Sequence, residues 1–185
     1  MLRGVSEDAY APYAAAAARY RPKEVRVLFI QESPPYGGDR HFYFLDVKAH
    51  DGFWLHLMRF LYRGDFSDDT PAERARKDQW LKRFQADGYW TIDAVRRSIS
   101  KHEHEERVAI IQRHAAGRVQ EVKAIKPKQI VLVKKSVFDG LNEPLRAARL
   151  PVVNDAAVPY PGRGQEGRLA RIMGELVESG NLKLA

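Results

Sequence analysis

An apolar run that stops against a carboxylate and two prolines does most to limit how this chain can fold. Residues 25–30 read Val-Arg-Val-Leu-Phe-Ile, a density of β-branched and aromatic side chains that predicts a short strand buried on both faces. Gln31, Glu32 and Ser33 end the hydrophobicity, and Pro34 and Pro35 follow at once. Proline lacks an N–H donor and fixes φ, so neither a helix nor further sheet pairing can continue there. The chain must leave the sheet as an irregular loop. In an open parallel α/β sheet such loops, at the carboxyl ends of strands, line the ligand crevice. Glu32, followed by Tyr36, Gly37, Gly38 and the triplet Phe42-Tyr43-Phe44, is therefore expected at a site.

The rest of the chain alternates. Further strands are predicted at residues 89–95 directly after Gly88, at 130–133 after Pro127, and at 150–153. Helices are predicted over about 6–20, with Ser6 as cap and an alanine run at 14–18, and from Asp51, where Phe53, Trp54, Leu57, Met58, Phe60 and Leu61 recur at helical spacing. Asp68 or Thr70 caps a third, with Pro71 at its first position and Gly88 past its end. Residues 102–125 form a long charged helix broken at Gly117, Ser136 starts another, and residues 165–179 close the chain with Leu169, Ile172, Met173, Leu176 and Val177 inward. Strands alternating with helices predict an α/β fold: a three-layer α/β/α sandwich around a central four-stranded parallel sheet. At 185 residues the chain suits one domain spanning 1–185.

Charge bears on the partner. Thirty-one Lys and Arg against 24 Asp and Glu leave +7, which favours a polyanion, and DNA is the expected partner. No cysteine is present, which removes disulfides, thiolate nucleophiles, Cys-ligated zinc and iron–sulfur clusters. Arg3 is followed by Ser6, Glu7 and Asp8 instead of a signal-peptide core, and no run approaches the ~20 apolar residues of a membrane span. A cytoplasmic location is expected. His102 and His104, among Glu103, Glu105 and Glu106, lack the i, i+4 histidine pair of a helical zinc site, so neither metal nor cofactor is expected.

Taken in order, the motifs resemble the uracil-DNA glycosylase superfamily over residues 24–178. Gln31-Glu32-Ser33-Pro34-Pro35 is similar to the family's first motif, whose Gly-Glu-Ala-Pro-Gly version carries a water-activating Glu in second place, where Glu32 falls. Phe42, Tyr43 and Phe44 lie where an aromatic residue stacks on the extruded base. Asp93 stands where an Asn reads the base edge, residues 125–133 resemble the Pro-Lys-preceded third strand, and Pro159-Tyr160-Pro161-Gly162-Arg163-Gly164 occupies the place of a His-Pro loop. Gln31, Asp93 and Tyr160 replace the family's Gly, Asn and His.

The resemblance implies hydrolysis of the N-glycosidic bond of a flipped, damaged or deaminated base, with Glu32, Asp93 and Tyr160 catalytic and Gln31, Pro35, Tyr36, Phe42 and Phe44 holding the base. Arg96, Arg97, Lys134, Gly162, Arg163, Gly164 and Arg168 would contact the nucleic-acid backbone. The chemistry is apt, because the transition state is cationic at the sugar and a carboxylate beneath it both orients water and stabilises charge. An ionised Asp only accepts hydrogen bonds, so Asp93 suits an amino-bearing base edge or a second carboxylate role. A tyrosine hydroxyl would stabilise a departing base only by donating a hydrogen bond. Structural roles compete at each position: Glu32 paired with an arginine, Asp93 bonded to a loop amide or Arg96, Tyr160 in the core. An inactive nucleic-acid-binding relative and a hydrolase of free nucleosides or nucleotides remain as alternatives.

Overall fold

The computed structural model describes residues 7–38, 40–49, 51–66, 69–162 and 164–185. A 3₁₀ turn, Glu7–Tyr10, leads into α1 (Ala11–Arg19), followed by β1 (Val27–Gln31), α2 (Gly52–Leu61), α3 (Pro71–Ala75), α4 (Lys77–Ala86), β2 (Tyr89–Asp93), α5 (His104–Ile125), β3 (Gln129–Leu132), α6 (Lys135–Ala147) and α7 (Glu166–Glu178). The three strands form a parallel sheet in the order β2-β1-β3. Gln31 pairs with Asp93, and Ile30 with both Ile92 and Leu132, so all three strands end at one edge. The predicted α/β class with a central parallel sheet holds.

The fourth strand is where the sheet departs from expectation. Residues 150–153 make one isolated parallel bridge to β3, Ile130 with Val152, and a second joins Val133 to Val158. Between these points the Asn154 side chain stands in for backbone: Leu132 N–H donates to its Oδ1 at 2.9 Å, and its Nδ2 donates at 3.0 Å to the Leu132 carbonyl, which also accepts from Val158 N–H at 3.2 Å. An amide side chain that satisfies both groups of Leu132 leaves no ladder for a continuous strand to extend.

All five residues of β1 are buried. Phe29 meets the rings of Phe53 on α2 and Phe84 on α4. Leu28 and Ile30, which point to the other face, are fully buried as well, so helices and loops cover both faces. Helices α5 and α6 touch where Gly140 leaves room: a Cβ there would lie 2.7 Å from Ile111 Cγ2.

Side-chain caps set two of the helix starts. Asp51 caps α2 by accepting from Trp54 N–H at 3.0 Å, and Thr70 caps α3 by accepting from Glu73 N–H at 3.1 Å; Ser6 and Asp68 lie outside the described residues. Two expectations need correction. The helix predicted after Pro71 is two helices, because Arg76 leaves helical geometry at φ −91°, ψ 2°. Helix α5 runs unbroken through Gly117. A single glycine costs only about 1 kcal/mol against alanine, less than a buried side contributed by Ile111, Val119 and Val122 supplies. Among the described residues no helix is long and apolar enough to cross a membrane.

Candidate functional site

Parallel register delivers the two candidate carboxylates together. Beyond the last rung, Ala94 N–H donates to the Gln31 carbonyl at 2.7 Å and Val95 N–H to the Glu32 carbonyl at 3.1 Å, which ties the loop after β1 to the loop after β2. A cavity of about 180 Å³ opens at this edge, lined by Gln31, Glu32, Pro34, Pro35, His41, Phe42, Asp51, Asp93, Lys134 and Tyr160, with Ser33 and Ser100 at its wall. Segments far apart in the chain thus meet at one rim. A cavity of ~150 Å³ takes a benzene ring, so this one matches a single six-membered heterocycle.

Glu32 is only 5 % exposed and is held by cations. Lys134 Nζ lies 2.5 Å from Oε2, the Ser136 hydroxyl donates to Oε1, and an Arg107 guanidinium nitrogen stands 3.7 Å from Oε1. Lys134 is therefore a partner of Glu32, not a free contact for a phosphate. Its backbone adopts φ 81°, ψ 141°, a strained conformation for a side-chain-bearing residue. The strain is locked by Lys134 N–H donating to the Val158 carbonyl at 2.7 Å and by its own carbonyl accepting from Phe138 N–H. Ser136, expected to cap α6, turns to Glu32 instead, and no side chain caps that helix.

Asp93 is as buried, at 4 %, yet its neighbours are uncharged or weakly basic. The Tyr10 hydroxyl donates to Oδ2 at 3.1 Å, and His41 Nε2 stands 3.7 Å from the same oxygen. Burial, then the adjacent carboxylate, pushes the Tyr10 phenol well above its usual range, so Tyr10 remains a donor. His41 hangs from a loop anchored by Lys77, whose Nζ donates to the His41 carbonyl at 3.3 Å. Lys77 is fully buried, and burial brings its amine down to about 8, opposed by Asp51 and Asp69.

Tyr160 lines the cavity and packs its ring on Phe53. Its hydroxyl donates to Asp51 Oδ2 at 3.1 Å, and burial followed by that carboxylate raises its pKa far above normal. The proton expected to meet a departing base is thus committed to Asp51. Phe42 forms a cavity wall, whereas Phe44 stacks on Tyr13 with ring centroids 5.3 Å apart. The triplet follows an irregular turn, so the alternation of an extended strand does not apply. Tyr36 projects outside the cavity, 67 % exposed, with Lys101 Nζ 3.5 Å above its ring.

The expected backbone contacts do not form one row. Arg96 lies 3.5 Å from Glu121, Arg97 and Gly164 are exposed, Gly162 is half-buried, and Arg168 reaches Gln165. Arg163 lies outside the described residues. His102 and His104 pair separately with Glu106 and Asp139, and among the described residues no group of three or more metal-binding side chains converges.

Sequence reasoning missed His41, Asp51, Lys77, Arg107 and Tyr10. Asp51 was visible only as a helix start, and His41 only as the neighbour of an aromatic triplet. Nothing in the spacing of the others marks them. No protein-family model matches the chain, and no curated protein matches it significantly.

Proposed function

We propose that this protein is a uracil-DNA glycosylase-like enzyme that hydrolyses the N-glycosidic bond of a base flipped from DNA. One observation carries the reading: Glu32, Asp93, Tyr160 and Phe42, from four separate segments, border a single ring-sized cavity at the carboxyl edge of a parallel sheet. The reading includes the finer fold, a three-layer sandwich in which the bridges at Val152 and Val158 are the interrupted fourth strand.

In this mechanism Phe42, Pro34 and Pro35 receive the planar ring, since an apolar wall lowers the cost of leaving the stack. Asp93 accepts from an amino-bearing base edge. Glu32, held in place by Lys134, Arg107 and Ser136, retains a second lone pair on each oxygen, enough to orient water and face the developing sugar cation. Tyr160 positions Asp51 and the wall at Phe53, in place of the hydrogen-bond donor role expected from the motif. DNA is the partner, drawn by the net charge of +7.

A second reading, a base-binding relative without turnover, is favoured by the saturation of Glu32 with cations and by the commitment of the Tyr160 proton to Asp51. Abasic-site formation on oligonucleotides carrying uracil, hypoxanthine or xanthine separates the two. The enzyme reading expects cleavage by the wild-type chain and a loss of 10²-fold or more in Glu32→Gln. Equal rates in the variant would remove Glu32 from the mechanism. Binding that weakens steeply with salt, without cleavage, would establish the second reading.

A further inference from the structure

A second cleft, about 230 Å³, lies on the far side of the Asp93–His41 pair, between α1 and the edge strand β2. Tyr10, Ala14, Ala17, Ala18 and Arg21 form one wall; Tyr43, Trp90, Ile92, Arg96 and Glu121 form the other. Alanines at i, i+3 and i+4 fall on one helix face, and with nothing beyond Cβ they leave a flat surface opposite the aromatic wall. The cleft lies between them.

Two residues of this cleft hold buried nitrogens without hydrogen-bond partners among the described residues: Trp90 Nε1 and His41 Nδ1. Each residue is 7 % exposed. An indole N–H can only donate, and leaving it unsatisfied in a buried place is costly. Arg21 lies over the Trp90 ring, 5.0 Å from its centroid, and has no carboxylate partner among the described residues. Arg96 supplies a second guanidinium, loosely held by Glu121 at 3.5 Å.

We propose that the cleft between α1 and β2 is a binding site for a small planar heteroaromatic anion. The ring slides between the alanine face and the Trp90 and Tyr43 side, and the anionic group pairs with Arg21 and Arg96. The volume exceeds the ~150 Å³ that holds one benzene ring, leaving room for a carboxylate or a second ring. An occupant reaches the reverse side of Asp93 and His41, so binding here is felt in the first cavity. The proposal does not depend on whether that cavity turns over a base.

The test uses the ¹⁵N-labelled full chain, whose three tryptophans give separate indole signals, Trp90 being assigned by Trp90→Phe. Orotate, uridine 5′-monophosphate and adenosine 5′-monophosphate are titrated, with uracil as the neutral control. A shift confined to the Trp90 signal is expected for the anions, with uracil at least tenfold weaker. Ala14→Leu, which fills the cleft beside the helix, should abolish the shift while the Trp54 and Trp80 signals stay in place and report an intact fold. Arg21→Gln should weaken binding roughly tenfold or more, the loss of one charge-assisted hydrogen bond. Orotate against the nucleotides tells a carboxylate from a phosphate as the favoured anion. Absence of any shift at millimolar ligand, equal binding of uracil, or an undiminished shift in Ala14→Leu with intact Trp54 and Trp80 signals would each overturn the proposal.

Discussion

Glu32 and Asp93 stand one step apart at the ends of neighbouring strands, are equally buried, and live in opposite surroundings. Glu32 sits among Lys134, Arg107 and Ser136; Asp93 sits beside a phenol and an imidazole. A carboxylate held by two cations is fixed in charge and place, and its loss strands the cations that it neutralises. One that accepts a single hydrogen bond from a phenol keeps acceptor capacity for a ligand. The same residue chemistry at the same depth is therefore held by cations on one strand and by a phenol and an imidazole on the next. The difference comes from what β3, α5 and the N-terminal segment bring alongside.

The sharpest way to break this contrast is to remove each carboxylate in turn. Glu32→Ala should destabilise the fold by about 3 kcal/mol, the lower end for a disrupted buried ion pair because Lys134 is partly exposed. Asp93→Asn retains an acceptor for Tyr10 and should cost only about 1 kcal/mol in the same urea titration. Equal costs would erase the distinction.

Lys77 tests the support beneath His41. Its folded pKa lies near 8, below its ordinary value of 10.5, so between those values the unfolded chain binds more protons and stability rises with pH. A gain on the order of 1 kcal/mol is expected from pH 8 to 9, below the range in which unfolded tyrosines ionise. Above about pH 9 the gain is offset and then reversed: Tyr10, Tyr43, Tyr62 and Tyr160 have raised folded pKa values, and the unfolded tyrosines ionise first. Denaturation curves across this range should show the rise in the native chain and lose it in Lys77→Met.

The smallest effect sharpens the Asp93 side. Tyr10→Phe removes one hydrogen bond and should cost roughly 1 kcal/mol while leaving Glu32 and its partners undisturbed. Helix α1 buries none of its residues, so amide exchange in residues 10–19 should speed up more than in β1. Uniform exchange across both would show that Tyr10 is no latch on Asp93.

Much of the frame was legible. The run at residues 25–30, the stop at Pro34 and Pro35, and the Gly88 and Pro127 boundaries located three parallel strands within two residues, because apolar patterning and proline chemistry act locally. The cavity was legible in part: Glu32, Asp93, Gln31, Pro35, Phe42 and Tyr160 line it, since loops at strand ends must gather at one edge once the sheet is parallel. Phe44 and Tyr36 were misplaced because the backbone between 36 and 49 is irregular and alternation gave no guide. The fourth strand is reduced to two isolated bridges because Asn154 takes up Leu132 between them, a pairing invisible until the segments are side by side.

By itself the sequence determined where the chain enters and leaves the sheet and which acid stands at the first exit, because those follow from short-range apolar pattern and from residues that cannot hydrogen-bond. Only the tertiary structure decided what each acid does. Lys134 comes from 102 positions away from Glu32 and Tyr10 from 83 positions away from Asp93, and a carboxylate's character is set by the charges and donors that folding brings within a few ångströms of it.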